Sequence, residues 1–406
     1  MQVFLYILFF YSGLIKSVFL FYDIRLPIDF TLLSALLLIL SFVQELFRFN
    51  FKLKLREKYL KVLFFLLIFY CWILISLFYT ESKEYSFIKT IYFITNIIAF
   101  FFPLLIRKFE VKLFLKITVL ISFIFVFWYF LVDIHASSYV YKSVKYSVYA
   151  ASYLAVSLLL GLNILICATT DSPLFKNKWN DIFIAVISFV LMLLIRGRGP
   201  LIFVVITVAA FLLYKFVILK KISFSLNKNK LIQSVLILTI IVITVIIVFK
   251  KYETQILSMA DVTFRRLNLL LNGVENKDMG HSVDVRIDHI HNSVHLIFSS
   301  VYHFIFGYGI GSYGFLTTGI DIKDYPHNFI LEIFVELGLI GLITFFMYFF
   351  INFFYYRKHN EFVSYFLLFF LFLNMMKSSS LVDIRIYFTF FAIFLITNSN
   401  KKLKEK

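Results

Sequence analysis

The chain has 406 residues, 61% of them hydrophobic and 16% charged, with a mean hydropathy of +0.90 and a formal net charge of +17. Soluble domains are about 45–50% apolar and about 25% charged, so a soluble globular enzyme is excluded, and long apolar runs without strict alternation exclude a β-barrel. The Lys and Arg residues sit in short loops between those runs, where they set topology, so nucleic acid is excluded as a partner.

In chain order, apolar runs between charge clusters predict an all-α, polytopic transmembrane helical bundle of about twelve helices. The expected spans are 3–22, 28–47, 60–79, 87–106, 112–132 and 148–168, then 181–195, 200–219, 231–249, 328–354, 362–376 and 384–398. The first run has neither the basic start nor the small-residue cleavage site of a signal peptide and is expected to stay as a helix. Cys71 and Cys167 fall inside predicted helices, which argues against a disulfide framework or a metal-ligand set.

Loop charge sets the expected orientation. One set of loops, together with the C-terminal tail, carries 22 Lys and Arg residues; the other carries eight: Arg25, Lys83, Lys142, Lys145, Arg196, Arg198, Lys377 and Arg385. The positive-inside rule puts the first set and both termini in the cytoplasm. The chain then divides into transmembrane helices 1–9 over 1–249, a large periplasmic loop over 250–326, and transmembrane helices 10–12 with a cytoplasmic tail over 327–406.

The unusual polar residues gather on the outer side. Six of the eight histidines lie between His281 and His327, in company with Arg265, Arg266, Arg286, Asp284 and Asp288. Over 283–298, Val283, Ile287, Ile290, Val294 and Ile297 recur at helical spacing, with Arg286, His289 and Ser293 on an adjoining face. That pattern suits a helix lying on the membrane surface or over a cavity, or an amphipathic helix packed on the bundle with its polar face in water. Arg196-Gly197-Arg198-Gly199-Pro200 forms a turn whose guanidinium groups could grip phosphates, or merely snorkel. Phe306 to Gly314 holds four glycines and reads first as an irregular loop, second as a close approach to a ligand; it lacks the features of a P-loop. Tyr325-Pro326-His327-Asn328 sets a titratable imidazole at the mouth of a helix carrying Glu332, Glu336, Gly338 and Gly341.

The order of these pieces resembles the O-antigen polymerase and O-antigen ligase family of bacterial membrane glycosyltransferases. The matching segments are Arg198-Gly199-Pro200, Val285-Arg286-Ile287, Gly307 to Gly311, and His327-Asn328 through Gly341. Where the family usually has a small or hydroxyl residue before its Arg-Gly, this chain has Arg196-Gly197, which leaves the choice between Arg196 and Arg198 open. The family's Asn near the start of the sixth helix is replaced here by Tyr149-Ala150-Ala151-Ser152.

The resemblance implies a GT-C-like bundle in the bacterial inner membrane. It also implies a donor glycan on undecaprenyl pyrophosphate, whose C1 is attacked by a hydroxyl while the lipid diphosphate leaves. The acceptor would be the glycan of another lipid-linked repeat (polymerase, the favoured reading) or lipid A-core (ligase). A chain-length regulator is allowed as a partner beside the bilayer itself. A lipid-linked oligosaccharide flippase is the alternative from another class.

In the transfer reading, Arg198 and Arg286 stabilise the departing charge and His327 is the general base. Arg196, Arg265, Arg266, His289, Asn328 and Glu336 contact pyrophosphate or glycan. No metal or cofactor is expected, since the leaving group is already activated.

Overall fold

The computed structural model describes residues 2–48, 57–106, 109–136, 144–170, 173–195, 197–218, 281–356 and 363–400. Among these, all regular structure is helical: α1 (Gln2–Phe21), α2 (Phe30–Arg48), α3 (Glu57–Ser76), α4 (Tyr85–Leu105), α5 (Val111–Ala136), α6 (Val144–Thr169), α7 (Lys178–Leu194) and α8 (Arg198–Leu213). A π-helical turn, Tyr214–Ile218, extends α8. After the break come α9 (His281–Ile297), α10 (Val301–Phe306), α11 (Ser312–Thr318), α12 (Phe329–Tyr356), α13 (Val363–Ser378) and α14 (Arg385–Asn400).

Helices occur at eleven of the twelve predicted spans, and the ninth, 231–249, lies outside the described residues. Among the described residues, six helices are long and apolar enough to cross a membrane: those at Gln2–Phe21, Phe30–Arg48, Tyr59–Ser76, Tyr85–Leu105, Val111–Val132 and Phe329–Ile351. Shorter apolar helices follow at Tyr153–Thr169, Gly199–Leu213, Tyr365–Ser378 and Arg385–Ile396. The chain is a multi-pass helical membrane protein.

Aromatic rings fill the core where α3, α4, α12 and α14 meet. Phe69, Phe93, Phe100, Phe345, Tyr348 and Phe388 are all fully buried, and most of their pairs meet edge-on, such as Phe69–Phe345 at 5.4 Å and Phe100–Tyr348 at 5.7 Å. Lipid tails offer no hydrophobic drive for helix association, so this interlocking of rings supplies directional packing instead.

Three connections meet at one end of the bundle. The Asp321 carboxylate accepts from the Ser82 hydroxyl at 2.6 Å and from the amides of Lys83, Glu84 and Tyr85, so it caps α4 from a distant part of the sequence. Burial pushes its pKa up, but those hydrogen bonds outweigh burial and hold it below the ordinary carboxylate value. Lys323 then pairs with Asp383 at 3.7 Å, tying the 320–327 strap to the start of α14.

The glycine-rich stretch is a backbone splice. The Tyr308 and Gly309 amides donate to the carbonyls of Val335 and Glu336 at 2.9 and 2.7 Å. Gly307 (φ +76°) approaches so closely that an added Cβ would lie 2.5 Å from the Glu336 carbonyl carbon. Gly338 (φ +65°) breaks α12 at this contact, and the Trp72 indole donates to the adjacent Leu337 carbonyl at 2.9 Å. The first expectation for these glycines, an irregular loop, holds for Gly307, Gly309 and Gly311, whereas Gly314 lies within α11.

Candidate functional site

His327 closes the strap and precedes α12. It adopts φ +56°, the left-handed region that few non-glycine residues occupy. Its neighbour Asn328 starts the helix, its Oδ1 accepting from the Ile330 and Leu331 amides at 3.0 and 3.2 Å. Asn328, expected on substrate, therefore serves as a helix cap here, and that cap fixes where the His327 backbone must turn.

The imidazole of His327 is half-buried between two rings, Tyr325 at 4.6 Å and His289 at 5.4 Å. Burial, then the neighbouring His289 and the Arg286 charge, push its pKa below 6.5, with Asp324 opposing. The imidazole is consequently neutral at neutral pH. The neighbouring Tyr325 phenol is pushed up, first by burial and then by Asp383, Glu332 and Asp324.

Arg286 and His289 reach this point from α9. The buried side of that helix carries Ser293 and Ile297, flanked by half-buried Arg286 and His289; Ile287, Ile290 and Val294 are 49%, 45% and 44% exposed. Arg286 and His289 face the protein beside Ser293 and Ile297, whereas Ile287, Ile290 and Val294 of the apolar stripe point away, on a side shared with exposed Asp288, His291, Asn292 and His295. His289 is held by the Tyr313 hydroxyl, 2.8 Å from its Nδ1, while Ser293 donates to its carbonyl at 2.6 Å. Burial pushes the Tyr313 phenol up to about 12, so it stays protonated.

Glu336 is placed differently from expectation. It is fully buried, and both its oxygens accept from the Lys89 ammonium, at 2.6 and 2.7 Å. Lys89 also pairs with Glu332 at 2.5 Å. Glu332 in turn accepts from the Ser380 hydroxyl and the Leu381 amide, each at 2.7 Å. Glu336 has no free face to offer a ligand. The triad pins α12 to α4 and to the 380–381 turn just below His327. Sequence reasoning missed Lys89 as the partner; a lysine one turn into an apolar span was the signal.

The arginine turn is described in part. Arg198 opens α8, and nothing further is described of its side chain; Arg196, Arg265 and Arg266 lie outside the described residues. The turn itself sits against two other elements. The Ser157 hydroxyl of α6 reaches the Gly197 carbonyl at 3.4 Å, and Gly199 packs so tightly on the Lys377 side chain that a Cβ there would collide with it.

Residues 183–346 match the family model described as O-antigen ligase. Over these residues the chain is similar to that family. Members of the family are glycosyltransferase-like enzymes. The matched segment runs from α7 into α12, so it contains Arg198, Arg286, His289, His327 and the Glu332–Glu336 pair. No curated protein matches the chain.

Proposed function

We propose that the chain transfers a glycan from undecaprenyl pyrophosphate to a sugar hydroxyl at the outer face of the bacterial inner membrane, acting as a surface-polysaccharide polymerase. The observation that carries this reading is a neutral, half-buried imidazole at the end of the bundle with an arginine charge beside it. His327 takes the proton of the acceptor hydroxyl as its oxygen bonds to C1 of the donor sugar. The C1–oxygen bond to phosphate breaks, and its electron pair leaves with the lipid diphosphate. Arg286 and Arg198 carry the charge that grows on that diphosphate, favouring the transition state over the bound substrate. Arg196, Arg265 and Arg266 remain as further phosphate or glycan contacts. His289 positions His327 from α9, and the Lys89–Glu332–Glu336 triad acts through the backbone as a positioning device. The steps balance without a metal ion, so chelators should leave turnover of the purified enzyme unchanged.

Ligation to lipid A-core is the second reading, favoured by the description of the matching family. A deletion strain separates the two: single-repeat lipopolysaccharide indicates a polymerase, whereas polymer left on the lipid carrier indicates a ligase. The chemistry common to both is tested with purified protein and lipid-diphosphate-linked repeats. Replacing His327 with Ala should lower turnover by about 10²–10⁴-fold, the usual range for a general base. Unchanged turnover would remove the base assignment.

A further inference from the structure

A cavity of about 500 Å³ lies among α1, α2, α4, α6 and the start of α14. Four cations line it: Lys16, Lys89, Lys323 and Arg385. Three are matched by carboxylates. Lys16 pairs with Asp29, Lys89 with Glu332 and Glu336, and Lys323 with Asp383. Among the described residues no carboxylate forms an ion pair with Arg385. Its Nη1 donates to the Ser12 hydroxyl at 2.9 Å, its guanidinium lies 5.0 Å from the centre of the Phe9 ring, and its Nε is buried with no hydrogen-bond partner.

Asp383 and Asp29 act on the guanidinium electrostatically without an ion pair, so its unpartnered Nε leaves it incompletely matched, and a bound anion would complete it. Arg385 is also the first residue of the 16-residue helix α14, whose amide dipoles add positive potential at the same place. The rim holds Lys323 and Asp383, whose side chains are each about half exposed, so the chamber opens at the end of the bundle that bears the 320–327 strap. Asp383 also acts electrostatically on Tyr325, the ring next to His327. The chamber and the His327 cluster are therefore neighbours.

We propose that this chamber is a second anion site, in which Arg385 holds an oxyanion, either phosphate or sugar carboxylate, belonging to the acceptor. It is separate from the diphosphate site assigned to Arg198 and Arg286. That the anion belongs to the acceptor rests on the transfer reaction proposed above; that Arg385 binds an anion does not.

The test uses the full chain purified in detergent, titrated with inorganic pyrophosphate and, separately, with glucuronate, reading affinity by thermophoresis. In an Arg286→Gln background, which weakens the donor site, Arg385→Gln should reduce affinity for at least one of the two by about tenfold or more, as expected for losing a charge-assisted contact. Arg385→Lys should keep part of it. Loss for pyrophosphate alone identifies a phosphate-bearing acceptor, and loss for glucuronate an acidic sugar. Equal affinities with and without Arg385 would overturn the proposal. Should Arg385→Gln fail to fold, Gly13→Ala serves instead: its Cβ would lie 3.3 Å from the Arg385 Nη2 and crowd the guanidinium, weakening the same binding. If the His327 or Arg286 variants keep full turnover while Arg385 still governs anion binding, the transfer reading fails and this site survives.

Discussion

His327 and Lys89 show the two ways a polar residue survives in this chain. His327 sits outside the span, half-buried, and is kept neutral by its surroundings. Lys89 sits inside one, fully buried, with the carboxylates of Glu332 and Glu336 enclosing its ammonium group. Replacing Lys89 with Met would leave Glu332 and Glu336 facing each other without a cation. Loss of one partner from a buried ion pair costs about 3–5 kcal/mol, so this variant should melt well below the parent in detergent, and adding Glu332→Gln with Glu336→Gln should recover part of the loss. An unchanged melting temperature would show that the triad is not holding α12 to α4. His327 was legible in the sequence because an imidazole beside a long apolar run is conspicuous. The triad was only half legible: Glu332 and Glu336 sit one turn apart and invite a shared partner, but Lys89 is 247 residues from Glu336 along the chain, and no local pattern reports such a contact.

At the scale of single helices, the spans were readable from their apolar runs, while the orientation of α9 was not. Its helical period was right, yet Arg286 and His289 turn inward and Ile287, Ile290 and Val294 turn out. In water an apolar stripe marks the buried face; beside a lipid surface it can equally mark the outer one, and periodicity does not distinguish them. Phe298, Val301 and Tyr302, 66%, 76% and 52% exposed, continue the apolar surface past the end of the helix. If this surface rests on the bilayer, Val294→Asp should lower turnover severalfold in lipid vesicles while leaving detergent-solubilised turnover near the parent value. Equal losses in both media would mean that the substitution acts on folding and not on lipid contact. The break in α12 was likewise hidden. Gly338 reads as a tolerated helix glycine, and only the close approach of residues 305–309 explains its positive φ.

For the whole molecule, loop charge and loop contacts agree. The connections at 80–85 and 380–385 were assigned to the outer side from loop charge, and 320–327 followed as part of the large loop; the three meet at one end of the bundle through Asp321, Lys323 and Asp383. The positive-inside rule then predicts that a cysteine placed at Lys323 is labelled by a membrane-impermeant maleimide from the periplasmic side, and one at Lys112 is not. The reverse labelling would invert the bundle and separate the His327 cluster from any outer-leaflet substrate. The account as a whole stands on a neutral His327 acting as base beside the Arg286 charge, and the pH dependence of turnover by the purified enzyme examines it most directly. Because burial, His289 and the Arg286 charge hold the imidazole below its ordinary value of 6.5, the parent rate should stay level through neutrality and fall only on acidification past that value. Removing the Arg286 charge with Arg286→Gln should raise the imidazole pKa, so the slower variant should lose activity at a higher pH than the parent. An acid limb that stays in place in Arg286→Gln, or one that persists in His327→Ala, would contradict the account.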